Sequence, residues 1–421
     1  MENNEAIVVT IKNITPIPNK QRIVQADVYL YEIKLTQVVV SVETKEDSHV
    51  VYVDSNMALS DKLLEDYPDL GKYLGKGNRV KAVKLGDVIS NGFCIEIEKF
   101  LKYFNSKEEM DKTFIHGYSF TSINGIEICH KYIPKINVSS IQTNNNKKKN
   151  KGKVISRMIP NQFNFHFDTK SLLKNAHIIQ PENIISISDK WHGTSAIISK
   201  CLVKKKLNLK NKIAKLLGVN IITTEYDYIY ASRRVVKNGN LKPENHYYNE
   251  DIWKKASDRF REKLNNGESI YFEIVGYLEN NKFIQKNYDY GCTPGNHKIV
   301  VYRITHTGTD GVIYEYPWGA MKQRCIELGV DTVREFYYGK AKDLYPELHT
   351  DVHWNENFIN NLRRDYLEVT CDICTTSVPR EGIVLRIEGK EIKVFKLKSN
   401  KFLLHDSKSK DEGNEDIEDI N

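Results

Sequence analysis

At 421 residues, 40% hydrophobic and 28% charged, the chain has the composition of a soluble globular protein of two or three units, not of a disordered one. No apolar run reaches the ~18–20 residues of a membrane-spanning helix, and the N-terminus MENNEAIVV lacks the basic and apolar regions of a secretory leader, so an intracellular, cytoplasmic home is expected. The formal charge of +7 is uneven: His405–Asn421 holds seven acids and two lysines, leaving a body at about +12 that suits a polyanionic partner.

From Ala6 to about Phe100, β-branched and aromatic residues alternate in AIVVTIKNI, ADVYLYEIK, TQVVVSVET, HVVYVD, RVKAVKL and FCIEIEKF, each read as a strand. One helix interrupts them, SDKLLEDYPDLGKYL, with Ser60 as its N-cap. Five or so short strands and one helix predict a small closed barrel of the OB type over residues 1–138, with another small barrel or sandwich as the alternative. Tyr29, Tyr31, Arg79, Lys81 and Lys84 mix aromatics and cations as a nucleic-acid groove does, and as a half-solvated strand does too. Residues 139–153, SSIQTNNNKKKNKGK, have low complexity and five lysines and read as a basic polar linker or long loop. Residues 154–404 alternate strands (NIISIS, SAIISKCLV, YDYIYAS, SIYFEIVGY, KIVVYRIT, GIVLRIEG, EIKVFKLK) with helices near Asp251–Asn265 and Ala320–Leu328, a larger α+β domain. Residues 405–421 form an acidic tail, which could fold over the basic groove. Seven irregularly spaced cysteines read as reduced thiols, and Cys371 and Cys374 lack the second Cys/His pair that a zinc site needs.

Lys190 lies in the segment DKWHGTS between two apolar strands. A lysine at a strand end, followed by a glycine that lets backbone approach a ligand, is where an amine can be held against a phosphate. Alone, the heptapeptide fits a solvated lysine as well. Four later segments change this reading. Lys190-x-His192-Gly193, Ser232-Arg233, Phe272-Glu273-x-x-Gly276, Glu381-Gly382-x-Val384 and Lys396-x-Lys398 together resemble, in order and approximate spacing, the motifs of the covalent nucleotidyltransferases. The His-Gly-Thr form is similar to RNA ligases; DNA ligases and capping enzymes usually carry aspartate at the position of His192. The stretches ITPIPNKQRIVQADV, RVKAVKLGDVISNGF, IPNQFNFHFDTKSLLKNAHIIQPENIISISDKWHGTSA and FKLKSNKFLLHDSK are similar to the ligase branch in which an OB domain comes first. The resemblance thus spans roughly Ile14 to Lys408.

The resemblance implies an α+β fold class: an N-terminal OB-type barrel followed by a nucleotidyltransferase (ATP-grasp-like) domain of antiparallel sheets and helices. It implies ATP with Mg2+ or Mn2+ as cofactors and RNA ends as partners, including ends held in a nicked duplex or an RNA–DNA hybrid. Three steps follow: lysine attacks the ATP α-phosphate, AMP passes to a 5′-phosphate, and a 3′-OH displaces AMP. Lys190 is then the nucleophile, and Glu381 the metal carboxylate. Glu273 either shares the metal or contacts the ribose; both glutamates sit on apolar strands where an unpaired carboxylate is costly. Lys396 and Lys398 alternate with Phe395 and Leu397, so a strand points both ammonium groups to one face. By family analogy they meet phosphates, Lys398 at the α-phosphate. Arg233, or Arg234 if the register slips by one, meets the ribose or 5′-phosphate. Tyr302 is the candidate for stacking on adenine, though a core tyrosine fits the same pattern. His192 and Gly193 belong to the architecture of the ATP site. Asp189 departs from the glutamate of several RNA ligases. The alternatives are a different nucleotidyltransferase (DNA ligase or capping enzyme) or an OB-containing RNA-binding adaptor that has lost catalysis, against which the full set of charged motif residues argues.

Overall fold

The structure, a computed structural model, describes residues 4–134, 157–237 and 248–413. The linker read at 139–153 and the end of the acidic tail lie outside the described residues.

In the N-terminal region β1 (Ala6–Pro16), β2 (Ile23–Leu30), β3 (Ile33–Ser41), β4 (His49–Val53) and β5 (Phe93–Glu96) form one antiparallel sheet in the order β3-β2-β1-β4-β5. The start of β1 is buried on both faces: Ile7, Val9 and Ile11 pack with Val28 and Val38, while Ala6 and Val8 pack with Leu63, Phe100 and Phe114. That is why its sequence runs apolar where a half-solvated strand would alternate. The segment ADVYLYEIK is not one strand. Tyr31 adopts φ +55° and Leu30 pairs with Ile33, so the chain reverses there into a hairpin. The helix expected over SDKLLEDYPDLGKYL is α1 (Asp61–Asp66), capped by Ser60 Oγ accepting from the Leu63 N–H at 3.1 Å. Pro68 cannot continue it, and a 3-10 turn takes over from Pro68 to Tyr73.

The second region contains two sheets. One places Lys170–Ser171 beside β13 (Lys393–Lys398), then β12 (Gly382–Glu388), β6 (Ile184–Lys190) and β11 (Glu335–Lys340). The other runs β8 (Thr224–Ser232), β7 (Thr194–Lys204), β9 (Glu268–Gly276), β10 (His297–Thr307), with Ile313–Glu315 at its edge. Helices back each sheet. Trp253 of α2 (Ile252–Asp258) and Trp318 and Met321 of α3 (Trp318–Leu328) cover the β7–β10 sheet through Phe272 and Ile274. Phe358 and Leu362 of α4 (Trp354–Tyr366) cover the β6–β12 sheet through Ile185 and Leu385. Both sheets also contribute side chains to one cavity of about 310 Å³. The helix expected at Asp251–Asn265 is shorter because Asp251 caps it, its Oδ1 accepting from the Lys254 N–H at 3.0 Å, and the chain leaves the helix after Asp258.

A last helix, α5 (Asn400–Asp411), occupies the start of the segment read as a tail. Ser399 caps it, and the Glu368 carboxylate accepts from the Asn400 N–H at 2.7 Å, an anion at the positive end of the helix dipole. The helix docks on the N-terminal region, where Ser407 Oγ accepts from the Ala82 N–H at 3.0 Å. Arg79 is no groove cation: it is 1% exposed and donates to the Ser407 carbonyl at 3.2 Å and to Asp411 at 2.6 Å. Its guanidinium is spent on holding α5. All seven cysteines are free thiols. No helix among the described residues is long and apolar enough to cross a membrane.

Candidate active site

The chain crosses from one sheet to the other at Trp191-His192-Gly193, between the end of β6 and the start of β7. Gly193 is required by proximity: a Cβ there would collide with the Ile274 carbonyl oxygen and lie 2.6 Å from Val275 Cγ1. Trp191 stacks on Tyr290 with centroids 4.5 Å apart, and the His192 N–H donates to the Tyr290 hydroxyl at 2.6 Å. The His192 ring meets Tyr288 and Phe402 edge to face, each at 5.0 Å. Burial pulls His192 down to about 4, so its ring is neutral near pH 7.

Strand register then sets the charges side by side. Lys190 pairs with Gly382, and Gly382 with Lys398, which puts the two lysines on either side of a glycine. A Cβ on Gly382 would strike the Leu397 carbonyl oxygen, so glycine allows the close approach of β12 to β13. Glu381, next to it, is 3% exposed, and its Oε1 accepts from Lys190 Nζ at 2.7 Å and from Lys398 Nζ at 3.0 Å. Burial pushes this carboxyl up, but Lys190, Lys398 and His192 outweigh it and hold it at about 2. Lys396 points the same way as Lys398 by strand alternation. Burial, with the like charges of Lys398, Lys190 and Arg233, pulls its ammonium down to about 7. Lys398 also lies over the Phe402 ring at 5.1 Å.

On the facing sheet, Glu273 Oε2 accepts from the hydroxyl of its cross-strand partner Ser195 at 2.9 Å. Arg233 Nη2 donates to Asp168 Oδ1 at 2.8 Å, and Arg234 Nη2 to Oδ2 at 3.2 Å. Of the two arginines, Arg233 lines the cavity. Tyr302 Oη is 2.8 Å from His166 Nδ1. Every site residue expected from the sequence, from Lys190 to Lys398, therefore borders one space.

Whether a divalent cation fits can be judged at Glu381. Its Oε2 is buried without a hydrogen-bond partner among the described residues, 3.9 Å from His192 Nδ1. An unsatisfied buried carboxylate oxygen is costly and is well placed to take a cation. Among the described residues no group of three His, Cys, Asp or Glu forms a metal cage, so a cation here would take its other ligands largely from phosphate and water.

Asp168 and Asp406 are among the cavity carboxylates that were not singled out in the sequence. Asp168 sits in a loop with no periodicity to announce it. Asp406 is buried on α5, 3.0 Å from Lys410 Nζ, and Lys410 reaches Asn56 Oδ1 of the N-terminal region at 3.1 Å. Burial raises the Asp406 carboxyl, but Lys410, Lys398 and His192 keep it below its usual range. Phe402, Asp406 and Lys410 recur every fourth residue on one helix face, a signal that the acidic composition of the tail concealed.

Solved structures of an RNA ligase of Naegleria gruberi are similar in fold to this chain. The chain is similar to a variant of that ligase with AMP and manganese at 15% identity and TM-score 0.59, over 96% of this chain and 99% of that one. It is similar to a second variant with ATP and manganese at 16% identity and TM-score 0.59, over 96% and 99%. A third, also with ATP and manganese, gives 14% identity and TM-score 0.58 over 98% and 100%. The chain shares their fold. No protein-family model and no curated protein matches the sequence.

Proposed function

We propose that the protein is an ATP-dependent RNA ligase in which Lys190 carries AMP. The observation that carries this reading is the Lys190–Glu381–Lys398 cluster, with ammonium groups 2.7 and 3.0 Å from one buried carboxylate oxygen, at the cavity of a chain with the fold of RNA ligases that bind ATP or AMP with manganese.

In the first step Lys190 Nζ, as the neutral amine, forms a bond to the α-phosphorus of ATP while the bond to the bridging oxygen breaks and pyrophosphate leaves. A divalent cation, Mg2+ or Mn2+, held by Glu381 would shield the phosphates; Glu273 is the second carboxylate able to share it or to meet the ribose. Lys398 neutralises charge developing on the α-phosphate, and Lys396 binds the departing phosphates. Tyr302 covers the adenine and Arg233 meets the ribose or the 5′-phosphate. An oxygen of the RNA 5′-phosphate then attacks the phosphoramide, releasing Lys190. The 3′-OH attacks the activated 5′ end, forming the phosphodiester as AMP departs. We read the N-terminal sheet as an OB-type module that helps hold RNA ends, in a nicked duplex, a hybrid or a broken strand.

The test is incubation with α-labelled ATP and a divalent cation, without RNA, followed by a denaturing gel. Label is expected to stay on the wild-type chain and to be absent from Lys190→Ala. Absence of label from folded protein that does not already carry AMP would overturn the enzyme reading.

A further inference from the structure

The hairpin joining β7 to β8 carries a surface that the joining reaction does not use. Pairing of the two strands ends at Lys204 with Thr224, and residues 205–223 project beyond it. They include a helix, Leu209–Leu216, capped by Asn208, whose Oδ1 accepts from the Asn211 N–H at 2.8 Å. Leu209, Ile213 and Leu216 stand at i, i+4 and i+7 and form one apolar stripe. No residue of this helix is buried. Leu209 is 73% exposed and Leu216 86%, and beyond the helix Leu217 is 74% and Ile222 76% exposed. Lys204, Lys205, Lys206, Lys210, Lys212 and Lys215 are exposed around them. From Lys204 to Thr224 there is neither an acid nor an aromatic residue.

We infer that this tip docks on an anionic lipid bilayer. Aliphatic side chains this exposed, with lysines as the only charged residues among them, match a surface that is anionic at the top and apolar just beneath, where lysines meet headgroups and Leu and Ile enter the acyl boundary. RNA would satisfy the lysines and leave the aliphatics in water, because bases are met by aromatic rings and this tip has none. A protein groove would have to match apolar groups spread over a two-turn helix and the loop after it. A bilayer imposes no such shape. The position also fits. Ser195, at the other end of β7, borders the cavity, and nine residues of strand at about 3.3 Å each set the tip about 30 Å away, so a seated tip leaves the cavity open.

The experiment is co-sedimentation of the full chain with vesicles of phosphatidylcholine alone and of phosphatidylcholine with phosphatidylserine. Partition is expected to be at least about tenfold greater on the anionic vesicles and to weaken as salt is raised. It is expected to fall about tenfold in each of two variants, Leu209→Ser with Ile213→Ser and Leu216→Ser, and Lys210→Glu with Lys212→Glu and Lys215→Glu. All six side chains are exposed, so both variants are expected to keep the wild-type circular dichroism. Equal binding to both vesicles, or binding that survives the triple serine change, would overturn the inference. So would RNA affinity lost in both variants without any vesicle binding, which would make the tip a nucleic-acid contact. A dimer that the serine variant converts to monomer, again without vesicle binding, would assign the stripe to a second copy of this chain.

Discussion

On the β6–β12–β13 wall of the cavity, Lys190 and Lys398 share one oxygen of Glu381, and Lys396 stands beside them. On the β7–β9–β10 wall, Arg233, Glu273 and Tyr302 are each engaged by a partner of their own: Asp168, Ser195 and His166. The first wall sets the Lys190 and Lys398 side chains, 25% and 27% exposed, on one buried carboxylate with Lys396 beside them, so an arriving triphosphate would change the balance of all four. The second wall has its polar groups matched in advance and presents fixed geometry. Substitutions on the first are expected to change chemistry, and those on the second to change how well a ligand sits.

The largest effect is expected at Glu381. Glu381→Gln keeps the volume but removes the charge that both lysines share, and lysyl-AMP formation is expected to fall about 10²–10³-fold. Single-turnover labelling at saturating ATP measures it, with a thermal melt as the check on folding. A fall of less than about tenfold would mean that the first wall does not act as a coupled set.

Next in size is Lys396, whose ammonium faces Lys398, Lys190, Arg233 and Asp168. Its pKa of about 7 in the folded chain leaves it largely neutral at pH 8, and a triphosphate would draw a proton back onto it. Nucleotide binding at pH 8 is therefore expected to take up close to one proton, read by calorimetry in buffers of different ionisation enthalpy. Lys396→Met should abolish the uptake and weaken ATP binding about tenfold. Uptake unchanged in the variant would place the titrating group elsewhere.

The residues of the first wall were legible because a strand's two-residue period and the spacing of short motifs are local properties. Lys396 and Lys398 alternate with buried Phe395 and Leu397, as written. The second wall was half legible: Glu273 and Tyr302 lie on strands, but Asp168, which orders Arg233, comes from a loop without any pattern. Contacts between distant segments left no local trace. Arg79 looked like a surface cation because its partner, Asp411, is 332 residues away. The hairpin at Tyr31 was missed because Tyr-Glu is not turn chemistry. Helix α4 was missed although Trp354, Phe358 and Leu362 recur every four residues, since the polar residues between them dominate its composition.

A smaller effect, on stability, separates the front of the first wall from its back. Burial pushes Asp189 up to about 7 against the pull of Arg380, whose Nε is 3.7 Å from Oδ1. Between pH 4 and 7, roughly, the folded chain holds a proton on Asp189 that the unfolded chain has lost, so this residue's contribution to stability falls as pH rises through that window. Asp189→Asn is expected to be near neutral at pH 5 and to gain about 1–3 kcal/mol relative to wild type at pH 8. Urea melts at the two pH values measure this, and a difference independent of pH would mean that the carboxylate is already ionised at pH 5.

The smallest effect is expected on the second wall. Asp168 bridges Arg233 and Arg234 and is itself partly exposed, with Arg233 and Lys131 holding its carboxyl below its usual value although burial pushes it up. Partly exposed pairs of this kind contribute on the order of 0–1 kcal/mol. Asp168→Asn keeps a hydrogen-bond acceptor near both guanidinium groups, so it is expected to raise the KM for ATP or for the RNA 5′-phosphate end by no more than about fivefold, with kcat within twofold of wild type. Which of the two KM values moves tells whether Arg233 attends to the nucleotide or to the RNA. If kcat fell tenfold or more, Arg233 would have to act on the reacting phosphate in the transition state, and the contrast between a chemical wall and a positioning wall would fail.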